Sequence, residues 1–120
     1  MAEALARHFH GEVLEPVSAG LNPLGYVVRE TLEALAEMGV ATAGLQSKGL
    51  EEVDLAGCRL IVNLTNYPLE LRLPAAFQGK LLNWAVPDPY GGDLEDYRQS
   101  REAVRQLLAE VRAELQKRDG

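Results

Sequence analysis

Met1-Ala2-Glu3-Ala4-Leu5-Ala6-Arg7 opens the chain, and the reading of this stretch decides the fold. It forms the body of a helix. Ala, Glu, Leu and Arg all favour helix, and Ala4 and Leu5 line up with Phe9 as an apolar stripe. No strand, turn or cap precedes them. In a doubly wound α/β protein the first helix follows a strand and a loop, and ligands bind at the strand ends. The expectation is therefore an α/β unit whose first strand and first loop are missing from this sequence.

The rest of the chain supports that reading. Gly11 is placed to stop the first helix. Glu12 to Val17 is expected as a short strand with Val13, Leu14 and Val17 as its apolar positions, and Pro16 suits a sheet edge. Asn22-Pro23 starts a second helix, Asn capping it and Pro taking its first position. Val28, Leu32 and Leu35 form the buried face of that helix, which runs to Met38 before the Gly39 stop. Ser47 caps a brief helix with Glu51 and Glu52 in its first turn. Arg59 to Leu64 is nearly continuous in apolar residues, as in a parallel strand buried on both faces. Pro68 to Leu73 is a loop or short helix. Lys80 to Val86 is a further strand, closed by Pro87-Asp88-Pro89-Tyr90-Gly91-Gly92. The last helix covers residues 94–117, with Val104, Leu107, Leu108, Val111 and Leu115 as its apolar stripe and a Glu114–Arg118 pair near its end.

The 120 residues suit one domain, 1–120, with no linker or repeat, and 47% hydrophobic with 25% charged residues is ordinary for a globular protein. Eighteen acidic against twelve basic residues give a net charge of −6, a poor footprint for nucleic acid or an anionic membrane. No apolar run approaches the roughly 20 residues that a membrane span needs. A lone cysteine, Cys58, excludes an internal disulfide. With no secretory signal visible, the expected location is cytoplasmic.

Asp88 is the first residue with chemical potential, because it lies just past a strand's C-terminal end, where open α/β sheets hold their sites. Its Pro- and Gly-rich surroundings would equally make a plain turn. Cys58 precedes the strand that begins at Arg59, which puts it at the opposite edge from Asp88. It reads as a buried, inert thiol. His8 and His10 are two apart on one helix, share no face, and have no ligand cluster around them. No residues call for a metal or other cofactor.

The opening heptapeptide, Ser18-Ala19-Gly20 and the Asp88 turn together resemble the low-molecular-weight protein tyrosine phosphatases and the related thioredoxin-linked arsenate reductases. Gly39-Val40 and Gln46-Ser47-Lys48-Gly49-Leu50 extend the likeness over nearly the whole chain. The resemblance implies a three-layer α/β fold with an open parallel sheet (phosphotyrosine phosphatase I-like), with the first strand missing. It also implies that Asp88, followed by Pro89, matches the general acid that protonates the leaving tyrosine oxygen, and that Tyr90 sits near the substrate mouth. In that family a strand enters a Cys-(five residues)-Arg loop just before the Met-Ala-Glu-Ala stretch, and that loop is missing from this sequence. Cys58 does not replace it, since the position six further on is Leu64. Thr65 stands roughly where an arsenate reductase would carry the first of two further cysteines.

Two functions follow as expectations. One is a family member without its nucleophile loop, inactive in this form, whose phosphoprotein or oxyanion substrate would require an upstream loop. The other is a non-catalytic binding or assembly module on the same fold. Because the family's sheet order puts the absent strand between Glu12–Val17 and Arg59–Leu64, unpaired edges are expected, and with them a two-fold homodimer.

Overall fold

The computed structural model describes residues 1–21 and 25–119. Its elements are α1 (Ala2–His10), α2 (Arg29–Ala36), a 3₁₀ turn at Leu50–Glu52, β1 (Leu60–Asn63), a second 3₁₀ turn at Leu69–Arg72, β2 (Lys80–Asn83) and α3 (Leu94–Asp119). The strands β1 and β2 pair in parallel, Leu60 opposite Lys80 through Asn63 opposite Asn83. This is the α/β architecture with a parallel sheet that the resemblance implies.

Both α1 and α2 pack against α3. Ala4, Leu5 and Ala6 of α1 are buried with Leu35 and Val40, and with Val104 and Leu108 of α3, in one apolar cluster. The small side chains of α1 let its backbone approach α3 closely, and Leu5 fills the space between them with no exposure. Polar contacts fix the outer faces. Arg101 donates to the Ala34 carbonyl at 2.7 Å, satisfying an acceptor that the end of α2 would otherwise leave open. Glu37, just past α2, receives Arg98 Nε at 2.9 Å and Arg101 Nη1 at 2.9 Å. Lys80 of β2 pairs with Glu114 of α3. Arg118, the partner expected for Glu114, lies outside the described side chains.

Three sequence expectations are corrected. First, the second helix begins at Arg29 rather than at Asn22-Pro23, a pair outside the described residues. Gly25 has φ of +86°, which a right-handed helix cannot contain. The helix buries Thr31, Ala34 and Leu35, with Val28 and Leu32 only half-buried. It stops as expected at Gly39, which takes φ of +71°, with the Val40 N–H reaching back to the Leu35 carbonyl at 3.1 Å. Second, the first 3₁₀ turn is closed by Glu52, whose carboxylate accepts from the Gly49 N–H at 2.6 Å, and not by Ser47.

Third, Glu12–Val17 is not a strand. Residues 11–13 turn and 14–19 adopt no regular secondary structure; among the described residues, the pairing nearby is an isolated bridge between Gly20 and Gly49. The side chains of α1 clasp this segment. Ser18 Oγ donates to Glu3 at 2.9 Å and Arg7 donates to the Pro16 carbonyl at 3.2 Å. A strand exists only by pairing with a neighbour, and a cavity of about 870 Å³ separates this segment from β1. Val13 and Val17, expected as apolar strand positions, both border that cavity, and Val17 is 56% exposed.

Candidate functional site

The C-terminal ends of β1 and β2 carry a polar network centred on Asn63. This side chain is 4% exposed and uses its whole amide. Its Nδ2 donates to the Tyr67 carbonyl at 2.7 Å and to Asn83 Oδ1 at 3.0 Å. Its Oδ1 accepts from the Thr65 N–H at 3.1 Å and the Thr65 hydroxyl at 2.7 Å. Thr65 Oγ1 in turn accepts from the Tyr67 N–H at 3.1 Å. One buried amide thus ties the last residue of β2 to the loop that follows β1. Buried amides of this kind fix a loop's path because each unmet partner would carry a desolvation cost. From the sequence, Asn63 is simply a member of the Arg59–Leu64 strand, with no role of its own. The available signal was an amide at the C-terminal end of an aliphatic strand, two residues before a threonine.

Beyond β2 the chain makes the turn that carries Asp88. Val86 N–H donates to the Leu64 carbonyl at 2.9 Å, keeping this segment beside β1 after the ladder ends. Asp88 is exposed, and its Oδ1 accepts from the Tyr90 N–H at 3.0 Å, a local turn of the kind Asp favours. Gly91 takes φ of +88°, and the Gly92 N–H closes on the Pro89 carbonyl at 2.8 Å. Two side-chain pairings then start α3: Asp93 Oδ1 accepts from the Asp96 N–H, and Asp96 Oδ2 accepts from the Asp93 N–H, both at 3.1 Å. Ser100 Oγ donates to the Pro87 carbonyl at 3.2 Å and anchors the turn to α3.

Tyr90 is 58% exposed beside Asp88, while Tyr97 is buried. Burial pushes the Tyr97 phenol up from its ordinary range, and the charges of Glu30 and Asp88 add to the effect. Tyr97 therefore stays neutral. The turn thus presents one carboxylate, Asp88, and one phenol ring, Tyr90, to solvent.

Cys58 lies at the other end of the sheet. It precedes β1, is half-buried, and its Sγ points to the Asp54 carbonyl at 3.4 Å. Burial raises its thiol pKa and the nearby Asp54 carboxylate raises it further, the reverse of what activates a thiol. Since β1 and β2 are parallel, Cys58 and Asp88 are separated by the strand pair, of which Leu60 to Asn63 alone spans about 10 Å. The structure brings Asp88 and Tyr90 together and does not bring Cys58 to them. Among the described residues, no group of three or more His, Cys, Asp or Glu side chains could hold a metal ion. His10 Nδ1 lies 3.4 Å from Arg112 Nη1, and His8 packs edge-on against Phe9. Within the described residues no helix is long and apolar enough to cross a membrane.

The fold recurs among solved proteins. An arginine phosphatase, YwlE from Geobacillus stearothermophilus, superposes with a TM-score of 0.81 at 22% identity, over 98% of this chain and 84% of that one. An arsenate reductase in its phosphate-binding state gives 0.80 at 22% identity, over 94% and 86%. The arsenate reductase of Archaeoglobus fulgidus gives 0.75 at 24% identity, over 92% and 86%. No curated protein is similar enough to this chain to count as a match. The family profile described as low molecular weight phosphotyrosine protein phosphatase matches residues 1–119. This chain belongs to the low molecular weight phosphotyrosine protein phosphatase family.

Proposed function

We propose that this chain carries the acid side of a low-molecular-weight phosphatase site and, by itself, does not transfer a phosphoryl group. In this reading Asp88 is the general acid for a leaving oxygen, and Tyr90 forms part of the substrate mouth. The chemistry of the complete site is phosphotyrosine hydrolysis or arsenate reduction, and the protein works in the cytoplasm. Such a site also needs a thiolate nucleophile, an Arg clamp and backbone N–H groups facing the transferring group. An acid that protonates a leaving oxygen has no reaction to assist without them.

One observation carries the proposal: the single thiol and the Asp88 turn stand at opposite ends of a parallel strand pair. Supporting it, the environment of Cys58 raises its pKa, and Asp88-Pro89 matches the Asp-Pro pair that the family resemblance implies. The test is turnover of an aryl phosphate by the purified chain, its Cys58→Ser variant and its Asp88→Asn variant. All three are expected to show the same background rate. Activity that survives purification and disappears in Cys58→Ser would overturn the reading.

A second reading, a non-catalytic binding or assembly module, is favoured by the open cavity along β1. In that case the family fold is kept for what it can hold, and a homodimer is one form the assembly could take.

A further inference from the structure

We infer that the chain pairs with a second copy of itself, β2 against β2 about a two-fold axis, so that the sheet and the α3 layer both continue across the interface. The inference involves neither the cavity beside β1 nor turnover at the Asp88 turn.

The outer edge of β2 supplies the first argument. Lys80, Trp84 and Val86 give their N–H groups to the carbonyls of Arg59, Asn63 and Leu64 at 3.0, 2.8 and 2.9 Å. Backbone groups along a strand alternate in direction, so Leu81, Asn83 and Ala85 turn theirs away from β1. Among the described residues the sheet holds β1 and β2, so no strand lies beside this edge. It also lacks the usual guards of an open edge, since Leu81 to Val86 contains no charged residue and no proline. The nearest charge, Lys80, is engaged with Glu114 of α3.

This edge fits its own copy in one register. With the axis at Asn83, Leu81 faces Ala85 of the second copy, Asn83 faces Asn83, and Ala85 faces Leu81. Every outward group between Lys80 and Pro87 then has a partner, and each pair exchanges both N–H···O bonds. An axis at Trp84 would set Leu81 against Pro87, which has no N–H. An axis at Leu82 would set Ala85 against Gly79, before the strand begins. In the favoured register Leu82 and Trp84 become cross-strand neighbours on the face toward α3, and the Trp84 ring, 42% exposed in the single chain, is covered.

The free flank of α3 supplies the second argument. Its other flank is occupied by α1, with Arg105 over the Phe9 ring and Arg112 donating to Glu12 just past α1. Because Ala2, Glu3 and Ala6 border the cavity beyond β1, α1 lies on that side and the opposite flank of α3 overlooks the β2 edge. At 3.6 residues per turn that flank carries Gln99, Ala103, Gln106, Glu110, Ala113 and Lys117, all exposed except the half-buried Ala103. Ser100 and Glu114 reach the Pro87 carbonyl and Lys80, so α3 runs antiparallel to β2. Interpolation between these two contacts sets residue 108 level with Asn83. About the same axis Gln99 then meets Lys117, Ala103 meets Ala113, and Gln106 meets Glu110. Alanine faces alanine where the backbones approach, and no like charges stand directly opposite each other, although the net charge of −6 opposes association at long range. The midlines of the two β1–β2 pairs lie two strand spacings apart, about 10 Å, which is the distance at which helices pack. A foreign strand would satisfy the β2 edge and leave this flank bare. A second copy satisfies both about one axis.

The test is sedimentation equilibrium from about 10 μM to about 1 mM, with amide exchange along β2 followed by NMR. A monomer–dimer equilibrium is expected. Exchange at Leu81, Asn83 and Ala85 should slow as concentration rises, while Leu82 and Trp84, already bonded to β1, change little. Ala85→Pro removes an outward N–H and keeps the bonds to β1. Ala113→Arg sets a long side chain where Ala103 of the second copy packs, at an exposed helix position that arginine suits, so its effect cannot come from unfolding. Each should raise the dimer dissociation constant at least about tenfold. Gln106→Glu should weaken pairing by opposing Glu110, and adding Glu110→Lys should restore it. A monomeric mass at every concentration would overturn the inference. So would a dimer that Ala113→Arg leaves unchanged, or one whose formation leaves exchange at Leu81, Asn83 and Ala85 unaltered, since either result puts the contact elsewhere.

Discussion

Replacing Asn63 with Ala removes four hydrogen bonds from one buried side chain, those to the Tyr67 carbonyl, Asn83 Oδ1, the Thr65 N–H and the Thr65 hydroxyl. At about 1 kcal/mol net for each, the upper bound is about 4 kcal/mol. Thr65, Tyr67 and Asn83 are exposed, so water can replace part of what is lost. That discount brings the expected destabilisation to about 2 kcal/mol. In urea unfolding this corresponds to a midpoint lower by about 1 M for a protein of this size. Asn63→Asp sharpens the test. It keeps the acceptor for Thr65 but loses both donated bonds and sets a charged oxygen against the Tyr67 carbonyl. It should therefore be at least as unstable at neutral pH and recover in part on acidification. A loss below about 0.5 kcal/mol for Asn63→Ala would refute the claim that this amide organises the strand ends.

Arg98, by its hydrogen bond, and then Arg101 hold the Glu37 carboxyl down from its ordinary 4.5 to about 2. The stability from this cluster is thus complete above pH 4.5 and is lost as the pH falls toward 2, so Glu37→Gln should flatten the acid limb of a stability–pH profile over that interval. Because Glu37 and Arg98 each keep more than a third of the side chain in solvent, added salt should shrink the difference, least for the share due to the more buried Arg101. At Gly39 the backbone has φ of +71° and a Cβ would meet no atom within 4 Å. Gly39→Ala should therefore cost about 1 kcal/mol from backbone strain alone, read as a lower thermal midpoint.

The elements with strong local signals were legible in the sequence. The stripe from Val104 to Leu115 has helical period and little to compete with it, and α3 follows it. The aliphatic run at Arg59–Leu64 and the Gly39 stop are equally direct, since an apolar strand and a left-handed glycine each have few alternative uses. Glu12–Val17 failed for a different reason. Its composition suits a strand, but a strand also needs a partner edge, and the cavity and the clasp by Glu3 and Arg7 deny it one. The start of α2 was misread because Asn22-Pro23 looks like a cap, whereas the positive φ at Gly25 is invisible to periodicity. Asp88 was found through turn chemistry and resemblance. Asn63 was missed because a buried amide earns its role only from partners distant in sequence, Asn83 among them.

The central claim is that Cys58, the one thiol of the chain, is not a phosphoryl acceptor. Its most direct test mixes the chain with an excess of aryl phosphate, quenches with acid within the first turnovers, and maps phosphate adducts by intact-mass and peptide mass spectrometry. The expected result is unmodified Cys58 at every quench time, in wild type and in Asp88→Asn alike. A phosphate adduct on Cys58 that appears before product is released, and persists longer when Asp88 is replaced, would contradict the account.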